Sequence, residues 1–177
     1  MSSSLPIHDL TVFQMSKMLR NLDGWLGKAE DHAKEKGFEV DVLVQARLAP
    51  DMFALVRQVQ ASCDTAKLGV ARLSGDTAPS HPDEEKTIAE LRERIRSALA
   101  YLETVTPEGL AESGDREIQL PFVQGKACKG RDYLLEFVMP NFYFHITTAY
   151  AILRHNGVPL GKYDYIGGIK MYDVETG

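Results

Sequence analysis

The stretch PNFYFHITTAYAILRHNG, residues 140–157, decides the fold class of this chain. Apolar side chains recur in it at the three- and four-residue spacing of a helix, and a glycine follows the last turn. At ~100° per residue, Asn141, Thr148 and Ile152 lie within about 60° of His145. The helix therefore presents an apolar face with three polar members toward its neighbours.

These three polar side chains require partners, because leaving a buried polar group unpaired costs roughly 1–3 kcal/mol. We expect a residue of another helix, a ligand, a water or a metal to meet them. Pro140 lies inside the helical run that begins near Arg131. Proline lacks the backbone N–H and clashes with the preceding turn, so we predict a kink or a restart of the helix there.

Three more helices are predicted upstream by the same periodicity. The first covers residues 7–35 and ends at Gly37. The second starts at Pro50 and Asp51 and closes at Gly75, where glycine suits a helix C-terminus. Ser80 or Asp83 is the expected cap of the third, whose buried face includes the following residues: Ile88, Leu91, Ile95, Leu99 and Leu102.

Residues 106–129 interrupt the helical pattern. Ile118 and Leu120 alternate with polar neighbours, which predicts one short strand or an extended arm. Four long helices with this insertion before the last indicate an all-α, up-down four-helix bundle. The length of 177 residues fits a single domain over residues 1–177.

Composition excludes several classes of function. The net charge is −5 and the 20 basic residues are scattered, so we expect no binding to nucleic acid. No run of ~18 apolar residues is present, which argues against a membrane span. The N-terminus lacks the pattern of a signal peptide, and the two cysteines lack metal-type spacing. A cytoplasmic protein is the expectation.

Other polar residues have ordinary interpretations. Arg47 and Asp51 suit an ion pair that fixes a loop, or else a pocket mouth that binds a small anion at a helix N-terminus. His81, in a Ser-His-Pro loop, is expected to be solvated. The charged run Glu90–Arg96 of the third helix predicts a solvated face, and Cys63 lies among core positions.

The ending Leu153–Gly157, LRHNG, brings the last helix close to a known pattern. It resembles the DinB/YfiT-like superfamily of four-helix bundles, whose last helix has a His-x-x-x-His pair before a Leu-Arg-x-x-Gly ending. Counting back from that ending, the second histidine of the family falls on His145 and the first on Asn141. Together with RLAPDMFALVRQVQ earlier in the chain, the stretch resembles a bacterial subfamily classed as a domain of unknown function.

The resemblance implies a degenerate metal site. Members that bind nickel or zinc use a third histidine on the second helix, and by hydrophobic register that position falls near Gln58. One of three ligands is therefore kept, so we expect no metal or other cofactor; if nickel or zinc is bound after all, His145 would hold it. The expected function is small-molecule binding in an interhelical pocket, with these candidate residues: His145, Asn141, Thr148, Gln58, Arg47 and Asp51.

Two alternatives stay open. One is a metal-dependent enzyme with a rearranged site at His145, such as the thiol S-transferases of the superfamily. The other is a structural or interaction protein whose polar patch is closed by internal hydrogen bonds. Tyr143 and Phe144 point away from the His145 face and suit packing against a tail or a second subunit. With the family resemblance, this aromatic excess favours a homodimer.

Overall fold

The computed structural model describes residues 5–174 of the chain. It confirms an all-helical bundle with one small two-stranded sheet. The four long helices are α1 (Gln14–Lys36), α2 (Leu55–Ser74), α3 (Ile88–Leu102) and α5 (Met139–His155). The shorter helices are α4 (Gly130–Asp132) and α6 (Lys162–Ile166), and two 3₁₀ turns lie at Val40–Gln45 and Glu108–Leu110.

The first helix begins as a π-helical turn, Asp9–Phe13, and continues as α1. Gly37 ends it at φ 74°, a left-handed conformation that glycine adopts without strain. The buried stripe of α1 faces the centre of the bundle and contains the following residues: Met15, Met18, Leu19, Leu22, Trp25, Leu26 and Ala29.

The predicted starts of α2 and α3 are both too early. Pro50 and Asp51 lie in a turn, and α2 begins at Leu55 after an extended Ala54 whose ψ is 167°. The N-terminal cap of α3 is Thr87, which exchanges hydrogen bonds with Glu90 in a capping box, in place of Ser80 or Asp83. The side chain of Asp83 is bonded instead to arginines of α2 and α3.

The insertion before the last helix forms a hairpin rather than a lone strand. Strand β1 (Glu117–Gln119) pairs antiparallel with β2 (Ala127–Lys129), with Ile118 opposite Cys128. The second strand was not predicted, because its sequence, Ala-Cys-Lys, is too short to show a period of two.

The last long helix is continuous but not uniform. After α4, residues Tyr133–Val138 form a π-helical turn, and Pro140 stands in the first turn of α5. Because Pro140 cannot donate to a carbonyl one turn back, the wider turn before it absorbs the interruption. The predicted restart is therefore present as a π-helical turn.

The core lies between the four long helices. Helix α2 is central, since its buried residues meet both α3 and α5, while α1 packs against α3 and α5. Helix α6 returns to cover Trp25 of α1. Within residues 5–174, no helix has the length and apolar character needed to cross a membrane.

Candidate functional site

The polar face of the last helix meets α2 through a direct contact between His145 and Gln58. His145 Nδ1 lies 2.8 Å from Gln58 Oε1, and only 8% of His145 and 1% of Gln58 are exposed. Gln58 Nε2 donates to the carbonyl of Phe53 at 3.2 Å. A carbonyl can only accept, so this contact orients the amide and turns its oxygen toward the imidazole.

This orientation determines the tautomer of His145. Because Gln58 Oε1 is an acceptor, Nδ1 of His145 must carry the proton and donate. Burial lowers the pKa of His145 below its usual value of 6.5, and the charge of Arg57 lowers it further. The ring is therefore neutral at pH 7, with its lone pair on Nε2.

The residues present do not fit the metal site that the resemblance implies. His145 Nδ1 and Gln58 Oε1 are joined through a proton at 2.8 Å, so neither atom is free to bind an ion. Asn141 is directed elsewhere and donates to Thr65 Oγ1 at 2.7 Å. Across residues 5–174, no group of three or more His, Cys, Asp or Glu side chains is arranged to hold a metal ion.

Three other candidate residues, Thr148, Arg47 and Asp51, have no hydrogen bond to the side chain of His145 or Gln58 within the described part of the chain. Thr148 is buried and donates to the carbonyl of Phe144 one turn earlier, at 2.7 Å. Arg47 and Asp51 are exposed, and the guanidinium of Arg47 donates to the carbonyl of Pro50 at 3.4 Å rather than to Asp51. The structure thus joins His145 with Gln58, and Asn141 with Thr65, but keeps Arg47 and Asp51 on the surface.

A cleft of about 230 Å³ opens between α2 and the last helix, one turn from His145. Asn141 is the one candidate residue that lines it. The charged and polar lining residues are Arg57, Asp64, Thr65, Arg72 and Asn141, and the apolar and aromatic ones are Ala61, Leu68, Phe122, Tyr133 and Phe137. The cleft therefore combines an aromatic wall with a polar one.

The charges in the cleft are unequally compensated. Asp64 is paired through Oδ1 with Lys67 at 3.0 Å and through Oδ2 with Arg94 at 2.9 Å. Arg57 is paired with Asp83. Arg72 donates to the hydroxyl of Tyr133 at 2.9 Å and has no carboxylate partner among the described residues. The uncompensated charge of the cleft is therefore positive.

A cluster of buried ions beside the cleft was missed at the level of sequence. Arg94 was expected on a solvated face and His81 in a solvated loop, but the side chain of Arg94 is 1% exposed and His81 is bonded to Lys67 and Ser97. A signal existed for Arg94, which stands three residues after Leu91 and beside Ile95 on the buried stripe of α3. Cys63 is a core residue, as predicted, and burial raises the pKa of its thiol to about 12.

Fold and site together define a helical-bundle protein in which a buried hydrogen bond between His145 and Gln58 joins the last long helix to α2. The chain belongs to the family described as "Domain of unknown function (DUF1993)", whose model matches residues 7–166. It is also similar to the crystal structure of a DinB family member protein from Shewanella denitrificans. That similarity has 52% sequence identity and a TM-score of 0.92, and it covers 95% of this chain and 96% of that one. A search of the curated proteins found no match.

Proposed function

We propose that the protein binds a small anionic molecule with an aromatic or apolar part in the cleft between α2 and the last helix. The observation that supports this proposal is the guanidinium of Arg72, which has no carboxylate partner among the described residues and lies beside the aromatic wall of the cleft. A guanidinium binds a carboxylate in a planar, two-bond geometry that few other groups offer.

The remaining polar groups favour the same ligand class. Tyr133 accepts from Arg72, so its own proton is left to donate, and Thr65 accepts from Asn141 and likewise keeps its hydroxyl proton. Three donors therefore face the cleft where a carboxylate would bind, while Asp64 is already paired on both oxygens. Phe122 and Phe137, with ring centroids 5.7 Å apart, provide the apolar surface.

In this proposal the polar face of the last helix has two roles. Asn141 lines the cleft and donates to Thr65, which orients the hydroxyl of Thr65 toward the ligand. The His145–Gln58 pair holds α2 and α5 in register beside the cleft, while Thr148 bonds only within α5. Arg47 and Asp51 do not line the cleft and are left out of the proposed binding site.

The test compares three probes of similar shape: benzoate, neutral benzamide and cationic benzylamine. A dissociation constant on the order of 1 mM for benzoate is reasonable for so small a ligand. At 10 mM it stabilises the native state by roughly 1.4 kcal/mol, which thermal denaturation detects. Arg72→Gln is expected to weaken benzoate binding at least about tenfold, the loss typical of one charge-assisted contact.

Arg154→Gln, on an exposed position of α5, is the matched control and is expected to leave benzoate binding unchanged. Equal stabilisation by all three probes would contradict the proposal, and so would benzoate that stabilises Arg72→Gln as much as the wild-type protein.

Metal analysis of protein purified without an affinity tag distinguishes the proposal from the metal-dependent alternative. Stoichiometric nickel or zinc that is lost in His145→Ala would favour that alternative over ours.

The homodimer, the cytoplasmic location and the single-domain organisation stay predictions. Phe144, on the outer side of α5, is 56% exposed, which supports a contact with a second subunit. Tyr143 is occupied within the chain, since its hydroxyl accepts from Gln14 at 3.0 Å.

A further inference from the structure

The segment between α2 and α3, residues 76–87, is fastened to the bundle by buried cations, and we call it the strap. Arg94 of α3 bonds Asp83 and Glu85 of the strap, each at 2.9 Å. Lys67 of α2, whose side chain is 2% exposed, donates to the carbonyl of Pro79 at 2.8 Å. The strap is thus held by two cations whose side chains lie almost wholly out of water.

His81 lies at the centre of these contacts. Its Nδ1 is 2.5 Å from the ammonium of Lys67, and its Nε2 is 2.8 Å from the hydroxyl of Ser97. A lysine ammonium can only donate, so Nδ1 must accept and be unprotonated. Nε2 therefore carries the proton and donates to Ser97, which also excludes His81 as a base that activates this serine.

Charged groups face His81 from both helices and from the strap. Lys67 and Arg94 oppose a positive imidazole, while Asp64 and Glu85 favour one. Both carboxylates are already engaged, Asp64 by Lys67 and Arg94, and Glu85 by Arg94 and Gln60. Burial, followed by the charges of Lys67 and Arg94, lowers the pKa of His81 below its usual value of 6.5.

We propose that His81 is a proton-sensitive latch, and that protonation of its Nδ1 breaks the contact with Lys67 and releases the strap from α2 and α3. The proton comes from solvent, Lys67 keeps its three protons, and two N–H donors then face each other where one hydrogen bond was. The closed strap is stable above pH 6.5 and is progressively released as the pH falls below that value.

Asp83 and Glu85, the strap carboxylates that bond Arg94, have pKa values lowered away from the range of the imidazole. Burial opposes ionisation of Asp83, but the hydrogen bond from Arg57 and the charge of Arg94 outweigh it and lower its pKa. For Glu85, burial is outweighed in the same way by hydrogen bonds from Arg94 and Gln60. A change near pH 6 is therefore attributable to the imidazole.

Release of the strap has a consequence at the cleft. Asp83 is the strap residue that neutralises Arg57, and Arg57 also lines the cleft between α2 and the last helix. Opening the strap removes that carboxylate and adds a second uncompensated cation beside Arg72. The latch itself requires no ligand and is tested on the protein alone.

The experiment is hydrogen exchange of strap peptides at pH 7.5 and pH 5.0, with each rate divided by the intrinsic rate at that pH. Relative exchange of the wild-type strap is expected to rise severalfold at pH 5.0. The rise in relative exchange between pH 7.5 and pH 5.0 has an upper limit of about 30-fold. This limit follows because only the open strap then binds the proton, with an ordinary imidazole pKa of 6.5. Peptides of α1 are expected to show no such rise.

The variant His81→Gln replaces the imidazole with a neutral amide that cannot titrate, and His155→Gln, at the exposed end of α5, is the matched control. The pH effect is expected to persist in His155→Gln and to vanish in His81→Gln, even if the substitution loosens the strap at both pH values. A wild-type strap that exchanges equally at both pH values, or a pH effect that survives in His81→Gln, would overturn the latch.

A second measurement needs no variant. Nitrogen NMR of the wild-type protein at pH 7.5 reports which imidazole nitrogen of His81 carries the proton. The latch requires that Nε2 carries the proton at pH 7.5 and that Nδ1 gains a proton only below pH 6.5. A proton on Nδ1 at pH 7.5 is incompatible with the bond from Lys67 and would refute the proposal.

Discussion

Gln58 meets two different groups at once, the carbonyl of Phe53 and the imidazole of His145. The carbonyl accepts from the amide nitrogen, so the oxygen is left for the ring, and the ring must donate. Lys67 shows the same principle, since its ammonium donates to Pro79, His81 and Asp64. In both places a group with a fixed hydrogen-bonding role determines the protonation of a histidine.

The first prediction concerns this amide. Gln58→Met keeps the volume of the side chain but leaves the Nδ1 proton of His145 buried without an acceptor. We expect the free energy of unfolding at pH 7.5 to fall by about 1–3 kcal/mol, the usual cost of an unpaired buried polar group. Urea denaturation measures this change.

Gln124→Met, at an exposed position of the hairpin loop, is the matched control and is expected to have little effect. The double variant Gln58→Met/His145→Leu removes both polar partners, so its loss should be smaller than the sum of the two single losses. Strict additivity would show that the bond between Gln58 and His145 does not contribute to stability.

Helices α2 and α5 approach closely where the π-helical turn Tyr133–Val138 precedes α5. A Cβ atom on Gly69 would lie 2.7 Å from Cγ1 and 3.3 Å from Cγ2 of Val138, which is fully buried. Gly24 of α1 differs in this respect, because a Cβ atom there would have no neighbour within 4 Å. The two glycines share a helical conformation but have opposite surroundings.

This contrast gives the second prediction. Gly24→Ala is expected to raise the free energy of unfolding by about 0.5–1 kcal/mol, because alanine restricts the unfolded chain and favours the helix. Gly69→Ala is expected to lower it by about 1–3 kcal/mol, because the added methyl group would overlap the fully buried side chain of Val138. Thermal denaturation of the two variants side by side measures both effects. Adding Val138→Ala to Gly69→Ala should recover part of the loss, and stabilisation by both alanines alike would contradict the close approach.

At the scale of the molecule, the chain after the last long helix returns to complete the core. Gly157 turns the chain, and α6 then covers the single tryptophan, Trp25. The indole donates to the carbonyl of Asp164 at 3.0 Å and stacks on Tyr165, with ring centroids 5.6 Å apart. Lys28 of α1 is also paired with Asp164 at 2.5 Å.

The third prediction uses Trp25 as a reporter. Tyr165→Ala removes the stacked ring and opens the indole to water, so its fluorescence emission should shift to longer wavelength. The unfolding free energy should fall by about 2 kcal/mol, from lost burial and lost aromatic pairing. Tyr163→Ala, on the same short helix at a residue that is 84% exposed, is the matched control and should change neither quantity. Equal spectra for the two variants would show that α6 does not cover Trp25 in solution.

Part of the polar face was predicted in outline. His145 and Thr148 are buried, Asn141 is half-buried, and Gln58 meets His145; that they form a binding site stays a prediction. The cleft itself was not predicted, because its wall includes Arg72, Tyr133 and Phe122, which no pattern linked to His145. The pairing of Asn141 with Thr65 was also absent from the prediction, since Thr65 had no feature that marked it.

By itself the sequence determined the four long helices, their buried faces and the membership of a helical-bundle family, because these depend on apolar periodicity within each segment. Only the tertiary structure decided which polar groups meet. Gln58 and His145 are 87 positions apart, and Lys67 and His81 are joined across a loop without helical period. Hydrogen bonds and ion pairs depend on distances of about 3 Å between side chains, and such distances follow from packing rather than from local spacing. For that reason the buried ions, the strap and the tautomers of both histidines emerge only from the folded chain.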